Sequence, residues 1–432
     1  MPGSSEQHDN QSVAISVDFY DPDEKAKLLK YPRAAEIAAL VGSTINVPLA
    51  EFLTYYLFYK KRPGRDGYRN YKELSQKTGK ALSELEDFVD VGAGTVRLIE
   101  GSGSTIPSLT ERIGESVGVS VVNRIHGLHE ADWNKIPTHA GRKGFPTFDY
   151  ATSAPESASD GTAIVQVETK GASGEDPDKL MASVRTQIAN ARKKKTEVAK
   201  LELSGSYRYP ASVRYATVTA VGIDGPAKCW LLDPPPETLA DPVATKIINR
   251  IHFLTDCLSF ISPRSQLAAA AHTRLRALME LGNPFDLSGV PLIKGNGRPF
   301  ELITFEPIAR RHGFFRNMSH VVDGPAGGIA SQLPDGDMLF IGIREDLVRM
   351  ILEQDFEQIV RYKFPAASMY KEVECIFSRG RGRGLRLPEG MTTDTSDTQV
   401  KFVLSGTIHY SPGGMVFGVL PLARSAKKTA RH

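Results

Sequence analysis

The run Ala163-Ile164-Val165-Gln166-Val167, followed at once by Glu168-Thr169-Lys170, restricts the fold more than any other stretch of the chain. A short apolar run rich in β-branched residues, preceded by the turn dipeptide Asp160-Gly161, reads as a buried strand. Side chains two apart on a strand share a face. Gln166, Glu168 and Lys170 therefore fall on one face, and Val165, Val167 and Thr169 on the other. The strand end sets a carboxylate beside an ammonium, and a second carboxylate, Asp149, stands nineteen residues before Glu168.

The surrounding periodicities complete an α/β unit. A helix is expected over 108–125, with Thr110 and Glu111 in its first turn, then an irregular polar stretch over 126–143. A strand over 147–151 carries Asp149. After the motif strand, Asp178 is positioned to cap a helix whose Leu180, Val184, Ile188 and Ala191 are spaced as one buried face. Strands over 213–223 and 228–232 close the unit at Asp233-Pro234-Pro235-Pro236. This order predicts a central mixed β-sheet flanked by helices.

On either side the pattern is coarser. Residues 1–13 read as a disordered tail. Residues 14–104 read as a mainly helical domain, with a buried helix over 48–59, two short helices over 71–88 broken at Gly79, and a strand over 95–98. A helix-turn-helix or small winged fold fits that order, and so does a helical hairpin. Gly101-Ser102-Gly103-Ser104 reads as a linker to the core, 105–236. Residues 237–423 read as an α+β domain with helices over 244–260, 265–281 and 344–362, a buried strand over 338–343, and a strand pair joined at Ser411-Pro412-Gly413. Residues 424–432 form a basic tail.

At 432 residues the chain exceeds one ordinary core, and 41% apolar with 24% charged residues is the balance of a folded protein. A net charge of +3 means that any nucleic-acid surface is local. Cys229, Cys257 and Cys375 lie far apart, with neither zinc spacing nor a disulfide framework, which suits a reducing cytoplasm. The N-terminus lacks a basic segment followed by an apolar stretch, and the apolar run 47–59 carries Glu51 and is too short to span a bilayer. No membrane role is expected.

Residues 108–232 resemble the PD-(D/E)XK, or restriction-endonuclease-like, nuclease superfamily. The resemblance rests on Asp149 as the first aspartate, Glu168 and Lys170 as the E-x-K pair, Glu115 as the acid of the preceding helix and Gln187 as the polar position of the following one. Phe148 stands where proline often precedes the aspartate, and Ala191 where some branches carry tyrosine. The resemblance implies a metal-dependent phosphodiester hydrolase acting on nucleic acid, most plausibly DNA, in prokaryotic defence or DNA processing. Asp149, Glu168 and Glu115 would hold Mg²⁺, or Mn²⁺ in its place, as hard-oxygen ligands. Lys170 would orient the attacking water and offset charge on phosphorus. Asp160 is a rival for Asp149, but Asp is favoured in an Asp-Gly turn for backbone reasons alone. Glu111, one helical turn before Glu115, is a rival for that acid.

Between 178 and 200 seven cations (Lys179, Arg185, Arg192, Lys193, Lys194, Lys195, Lys200) stand against Asp178 and Glu197. Such a face can follow a phosphate backbone, as can the glycine-spaced strip with Arg379, Arg381 and Arg383; each reads equally as solvated surface. His126, His129, His139 and Asp132 lack the spacing of a zinc site. Paired cuts in duplex DNA would call for a homodimer or a partner subunit. The competing expectation is a non-catalytic nucleic-acid-binding or scaffold protein on an inert form of the same fold, with Glu168 and Lys170 a structural ion pair.

Overall fold

The computed structural model describes residues 11–30, 33–58, 71–91, 94–100, 107–136, 146–155, 162–174, 176–179, 181–205, 207, 209, 211–232, 242–261, 266–281, 313–317, 326–333, 336–378 and 399–421. Residues 1–10 and 424–432 of the expected tails, the linker at Gly101, Asp160-Gly161 and the strip with Arg379, Arg381 and Arg383 lie outside the described residues, whereas Ser12 and Val13, expected in the disordered tail, begin a strand. The chain divides into two compact units, one of residues 12–60 and 81–250, the other of 1–11, 61–80 and 251–432.

The first unit is built on a mixed sheet of seven strands in the order β2-β1-β9-β8-β7-β6-β5. These are β1 (Ser12–Phe19), β2 (Ser43–Pro48), β5 (Asn134–Lys135), β6 (Tyr150–Pro155), β7 (Thr162–Ser173), β8 (Val213–Val221) and β9 (Ala227–Leu232). The short hairpin of β3 (Val89–Asp90) and β4 (Arg97–Leu98) is a separate ladder tied to this sheet, the Leu98 N–H donating to the Gly222 carbonyl at 2.8 Å and the Ala14 N–H to the Gly94 carbonyl at 2.7 Å. Strands β5, β6 and β7 pair antiparallel; β7 and β8 are parallel and joined through helix α6 (Ala182–Leu203).

The expected boundary near residue 104 does not separate compact units. In β1, Val13, Ile15 and Val17 alternate with less buried residues, pair antiparallel with β2 and lie parallel to β9. The segment expected as a separate helical domain thus supplies two strands of the central sheet. Its partner strand lies some 200 residues later in the chain, a pairing that local periodicity does not report. After α2 (Ala34–Leu40), helix α3 (Leu49–Phe58) is buried from Ala50 on, as expected, whereas α4 (Tyr71–Phe88) runs unbroken through Gly79. One glycine inside a helix costs only about 1 kcal/mol relative to alanine.

The two faces of β7 and β8 are covered differently. Ala172, Ala216, Val218 and Ala220 meet Val184, Ile188 and Ala191 of α6 in an ordinary apolar layer. Helix α5 (Pro107–His126) covers the other face, almost in backbone contact with it. A Cβ on Gly114 would lie 2.5 Å from the Gly171 nitrogen, and one on Gly118 would be 3.2 Å from the Thr169 methyl. Along the same face His126 Nε2 meets Tyr215 Oη at 2.9 Å.

Where an irregular polar stretch was expected after α5, most of its described part is buried. His129, Glu130, Asp132 and Trp133 are inaccessible, folded through a 3₁₀ turn at Glu130–Asp132. Arg250 of α7 (Pro242–Ile261) pairs with Asp132 and lies 2.8 Å from His129 Nε2, while Asn249 donates to the Asp132 carbonyl at 2.9 Å. Trp133 Nε1 donates to Asn123 Oδ1 at 2.8 Å, and Asn123 donates to Tyr55 Oη at 2.6 Å.

The second unit contains a closed barrel in the order β10-β11-β12-β15-β14-β13. Its strands are β10 (Gly313–Asn317), β11 (Ala326–Gln332), β12 (Met338–Arg344), β13 (Ala367–Ser378), β14 (Gln399–Tyr410) and β15 (Met415–Leu420). Met338, Phe340, Val373, Leu404, Ile408 and Tyr410 are part of its core. The expected strand pair is β14 and β15, and Ser411 Oγ closes its turn by accepting from the Met415 N–H at 2.8 Å. The helix expected over 344–362 is two, Glu345–Glu353 and Phe356–Arg361. Gln354 breaks it at φ 53°, and Asp355 caps the second piece through the Gln358 N–H. The helices over 242–261 and α8 (Gln266–Leu281) match expectation. Among the described residues, no helix is long and apolar enough to cross a membrane.

Candidate active site

Glu168 and Lys170 sit on alternate positions of β7, opposite Ala216 and Val218 of β8, on the face covered by α6. Asp149 directly precedes β6. The pairing of Tyr150 with Val167, extended by a 3.1 Å bond from the Asp149 N–H to the Val167 carbonyl, sets Asp149 across from Glu168. Asp149 Oδ2 accepts from the Thr169 N–H at 2.9 Å and from its hydroxyl at 3.3 Å, which fixes the carboxylate. The other oxygen, Oδ1, lies 3.8 Å from Lys194 Nζ.

Lys194 is the residue that sequence reasoning placed elsewhere. Its Nζ bonds both oxygens of Glu168, at 2.7 and 2.5 Å, and so stands between the two carboxylates. Lys170 also pairs with Glu168 Oε1. Glu168 is 1% exposed, whereas Asp149, Lys170 and Lys194 are each a quarter or so open to solvent. Burial, with the neighbouring Asp149 charge, pushes the Glu168 carboxyl up to about 7, against the pull of both lysines. For Lys170, burial works against the charge, but Asp149 and Glu168 outweigh it and raise the ammonium above its ordinary value.

Chain geometry explains why Lys194, and not Gln187, reaches the acid. Strand β7 runs on to Ser173, and α6 starts at Ala182, with Met181 as its N-cap in place of the expected Asp178. Asp178 instead pairs with Lys228 at 2.9 Å. Ser183 Oγ donates to the Ser173 carbonyl at 3.1 Å, so the two elements start back along each other from there. Five strand residues and eleven helical residues both span roughly 17 Å, which brings residue 194 over residue 168. Gln187 falls about 6 Å from the start, nearer Gly171. It is half-buried on the stripe that also carries Lys194, two turns earlier.

Glu115 does not join the cluster. Its Oε1 accepts from Tyr150 Oη at 3.0 Å, and Tyr150, cross-strand from Val167, belongs to the α5 side of the sheet. Glu111, one turn earlier and exposed, is the α5 acid whose charge acts on Lys170, because the first turn of α5 crosses the chain at Gly171. The expected three-carboxylate set is therefore not assembled: among the described residues, no group of three or more His, Cys, Asp or Glu side chains is placed to hold a metal ion. Two carboxylates within 4 Å of one ammonium remain. Their chemistry still suits Mg²⁺, which is commonly held by one or two carboxylates with water and substrate phosphate completing its shell.

The cationic face of α6 is partly committed internally. Arg192 bonds Asp21 Oδ2 at 2.7 Å and Glu24 Oε1 at 2.8 Å, and lies over the Tyr20 ring at 4.9 Å. These contacts tie it to the turn after β1 and to α1 (Pro22–Leu28) and engage it away from a phosphate track. Lys179 pairs with Asp176 at 3.1 Å. Arg185 and Lys193 are exposed and Lys195 is half-buried. A buried neighbour also went unread: Arg214 of β8 bonds Gln166 Oε1 at 3.1 Å and Glu202 Oε2 at 2.7 Å, with its guanidinium 5.6 Å from the Phe148 ring. It braces the residue just before Asp149. The signal for Lys194 was its spacing of seven from Gln187; Arg214, hidden in an apolar strand, offered none.

No family model, no curated protein and no solved structure matches this chain.

Proposed function

We propose that the protein is a metal-dependent nuclease that hydrolyses phosphodiester bonds in nucleic acid, with DNA in prokaryotic defence or DNA processing as the setting to test first. The observation that carries this reading is the meeting of Asp149, Glu168 and Lys170 at one partly open place on the central sheet. The succession of α5, antiparallel β5-β6-β7, α6 and parallel β8 supports a restriction-endonuclease-like core.

In this reading Asp149 and Glu168 hold Mg²⁺ or Mn²⁺. The ion, when bound, polarises the scissile phosphate and lowers the pKa of water. Asp149 is pre-oriented by its two bonds from Thr169. Lys170, paired to Glu168, presents a charged N–H donor toward the attacking water and the charge that builds on phosphorus. In this reading the exposed Arg185 and Lys193 of α6 are the cations to test for contact with the substrate backbone. Purified protein with Mg²⁺ or Mn²⁺ should cut DNA or RNA, EDTA should stop it, and Asp149→Ala and Lys170→Met should each remove cleavage while nucleic-acid binding persists.

One observation favours a second reading, a non-catalytic nucleic-acid-binding or scaffold protein: both Glu168 oxygens are already held by lysines, so the cluster neutralises itself. Binding without metal-dependent cleavage of any substrate, and loss of folding in Lys170→Met, would decide for it.

A further inference from the structure

We propose that Lys194 is a resident cation: its ammonium fills the place between Glu168 and Asp149 that a divalent ion takes in the working enzyme, and the ion must displace it. This rests on the nuclease reading of the same site and adds a regulated occupancy to it.

The geometry distinguishes Lys194 from Lys170. Lys194 Nζ bonds both oxygens of Glu168 and lies 3.8 Å from Asp149 Oδ1, so it faces both carboxylates at once. Lys170 pairs with Glu168 Oε1 and belongs to the same strand as that acid. Lys194 comes from a different element and arrives on a long stem that is 25% exposed, so it can swing away without moving the sheet.

Charge balance points the same way. With Glu168 ionised, Asp149 and Glu168 against Lys170 and Lys194 sum to zero. A divalent ion added on top would leave two positive charges beside a buried carboxylate. Exchange for the Lys194 ammonium, followed by arrival of an anionic phosphodiester, keeps the site near neutrality. The released ammonium then sits at the rim, where the phosphate approaches. Metal and nucleic acid should therefore bind cooperatively, each favouring the displaced Lys194, by reciprocal linkage.

The test is calorimetric titration of the full-length protein with Mn²⁺ alone, without nucleic acid. Lys194→Met and Lys194→Gln should bind Mn²⁺ at least about ten-fold more tightly than the wild type, the scale of one unit charge acting over a few ångströms. Lys194→Arg, which keeps the charge, should bind no more tightly. In the wild type, saturating Mg²⁺ should shift the NMR signal of the Lys194 side chain, assigned by its absence in Lys194→Arg. Unchanged or weaker Mn²⁺ affinity in Lys194→Met and Lys194→Gln, or an unmoved Lys194 signal, overturns the inference; if Asp149→Ala still abolishes Mn²⁺ binding, the nuclease reading survives that result. Mn²⁺ binding that ignores Asp149→Ala, or no binding in any of these proteins, overturns both.

Discussion

His129, Asp132 and Arg250 form a charged cluster with no outlet to solvent, whereas Asp149, Glu168, Lys170 and Lys194 form one in which three of the four members reach it. Both lie in the same compact unit. In the first, burial alone would neutralise Asp132, but His129 and Arg250 overcome it and hold the carboxyl well below the usual carboxylate range. In the second, burial wins and Glu168 is held at about 7 despite two lysines. The difference is the second acid. Asp132 has cations around it, while Glu168 shares its lysines with Asp149. A sealed, matched cluster fastens α7 to the core. An open one with two acids is poised to trade its cations.

The contrast can be broken most severely at the open cluster. Asp149→Ala should lower the single-turnover cleavage rate by about a thousand-fold or more, and Lys170→Met by roughly a hundred- to a thousand-fold. At the sealed cluster, Arg250→Met takes from the buried Asp132 carboxylate its closest cation and leaves it His129. It should cost about 3–5 kcal/mol in urea denaturation without altering the Mn²⁺ affinity of the folded fraction.

Next in size is a pH effect. The folded value of about 7 for Glu168 lies above its ordinary 4.5, so the native state keeps a proton that the unfolded chain gives up in between. Stability from this group is complete below about 4.5 and is lost as pH rises through about 7. Glu168→Gln should therefore gain stability over the wild type on going from pH 5 to pH 8, by on the order of 2–3 kcal/mol. Wild-type Mn²⁺ affinity should rise over the same window, because the ion needs the ionised carboxylate. A flat difference between the two denaturation series would remove Glu168 from the contrast. Least in size, Arg185→Ala and Lys193→Ala should each weaken nucleic-acid binding and lower the salt slope by about one, without changing the cleavage step.

What the sequence made legible was local. The alternation in β7, the apolar stripe of α6 and the length of α5 are written in spacing, and with them the joint position of Glu168 and Lys170. What it hid depends on partners far along the chain. His129 and Asp132 read as loop residues because such types are mostly solvated, and their cover, Arg250, comes 118 residues after Asp132. β1 and β2 read as part of a helical domain because the pairing of β1 with β9, which joins them to the sheet, is non-local. The barrel likewise showed only β12 and its β14–β15 hairpin. The exchange of Gln187 for Lys194 has a smaller cause, a strand three residues longer than its motif.

The glycine contacts between α5 and β7 carry one last consequence. Any side chain at Gly171 would strike the Thr110 carbonyl, and one at Gly114 would strike the Gly171 backbone, so helix and motif strand behave as one rigid block. On the nuclease reading, whatever adjusts to admit substrate comes from the opposite side, where α6 meets the sheet through aliphatic contacts and the long side chains of Arg192 and Lys194. Saturation mutagenesis should find Gly114 and Gly171 as intolerant as the acids themselves, although neither has any chemistry to offer.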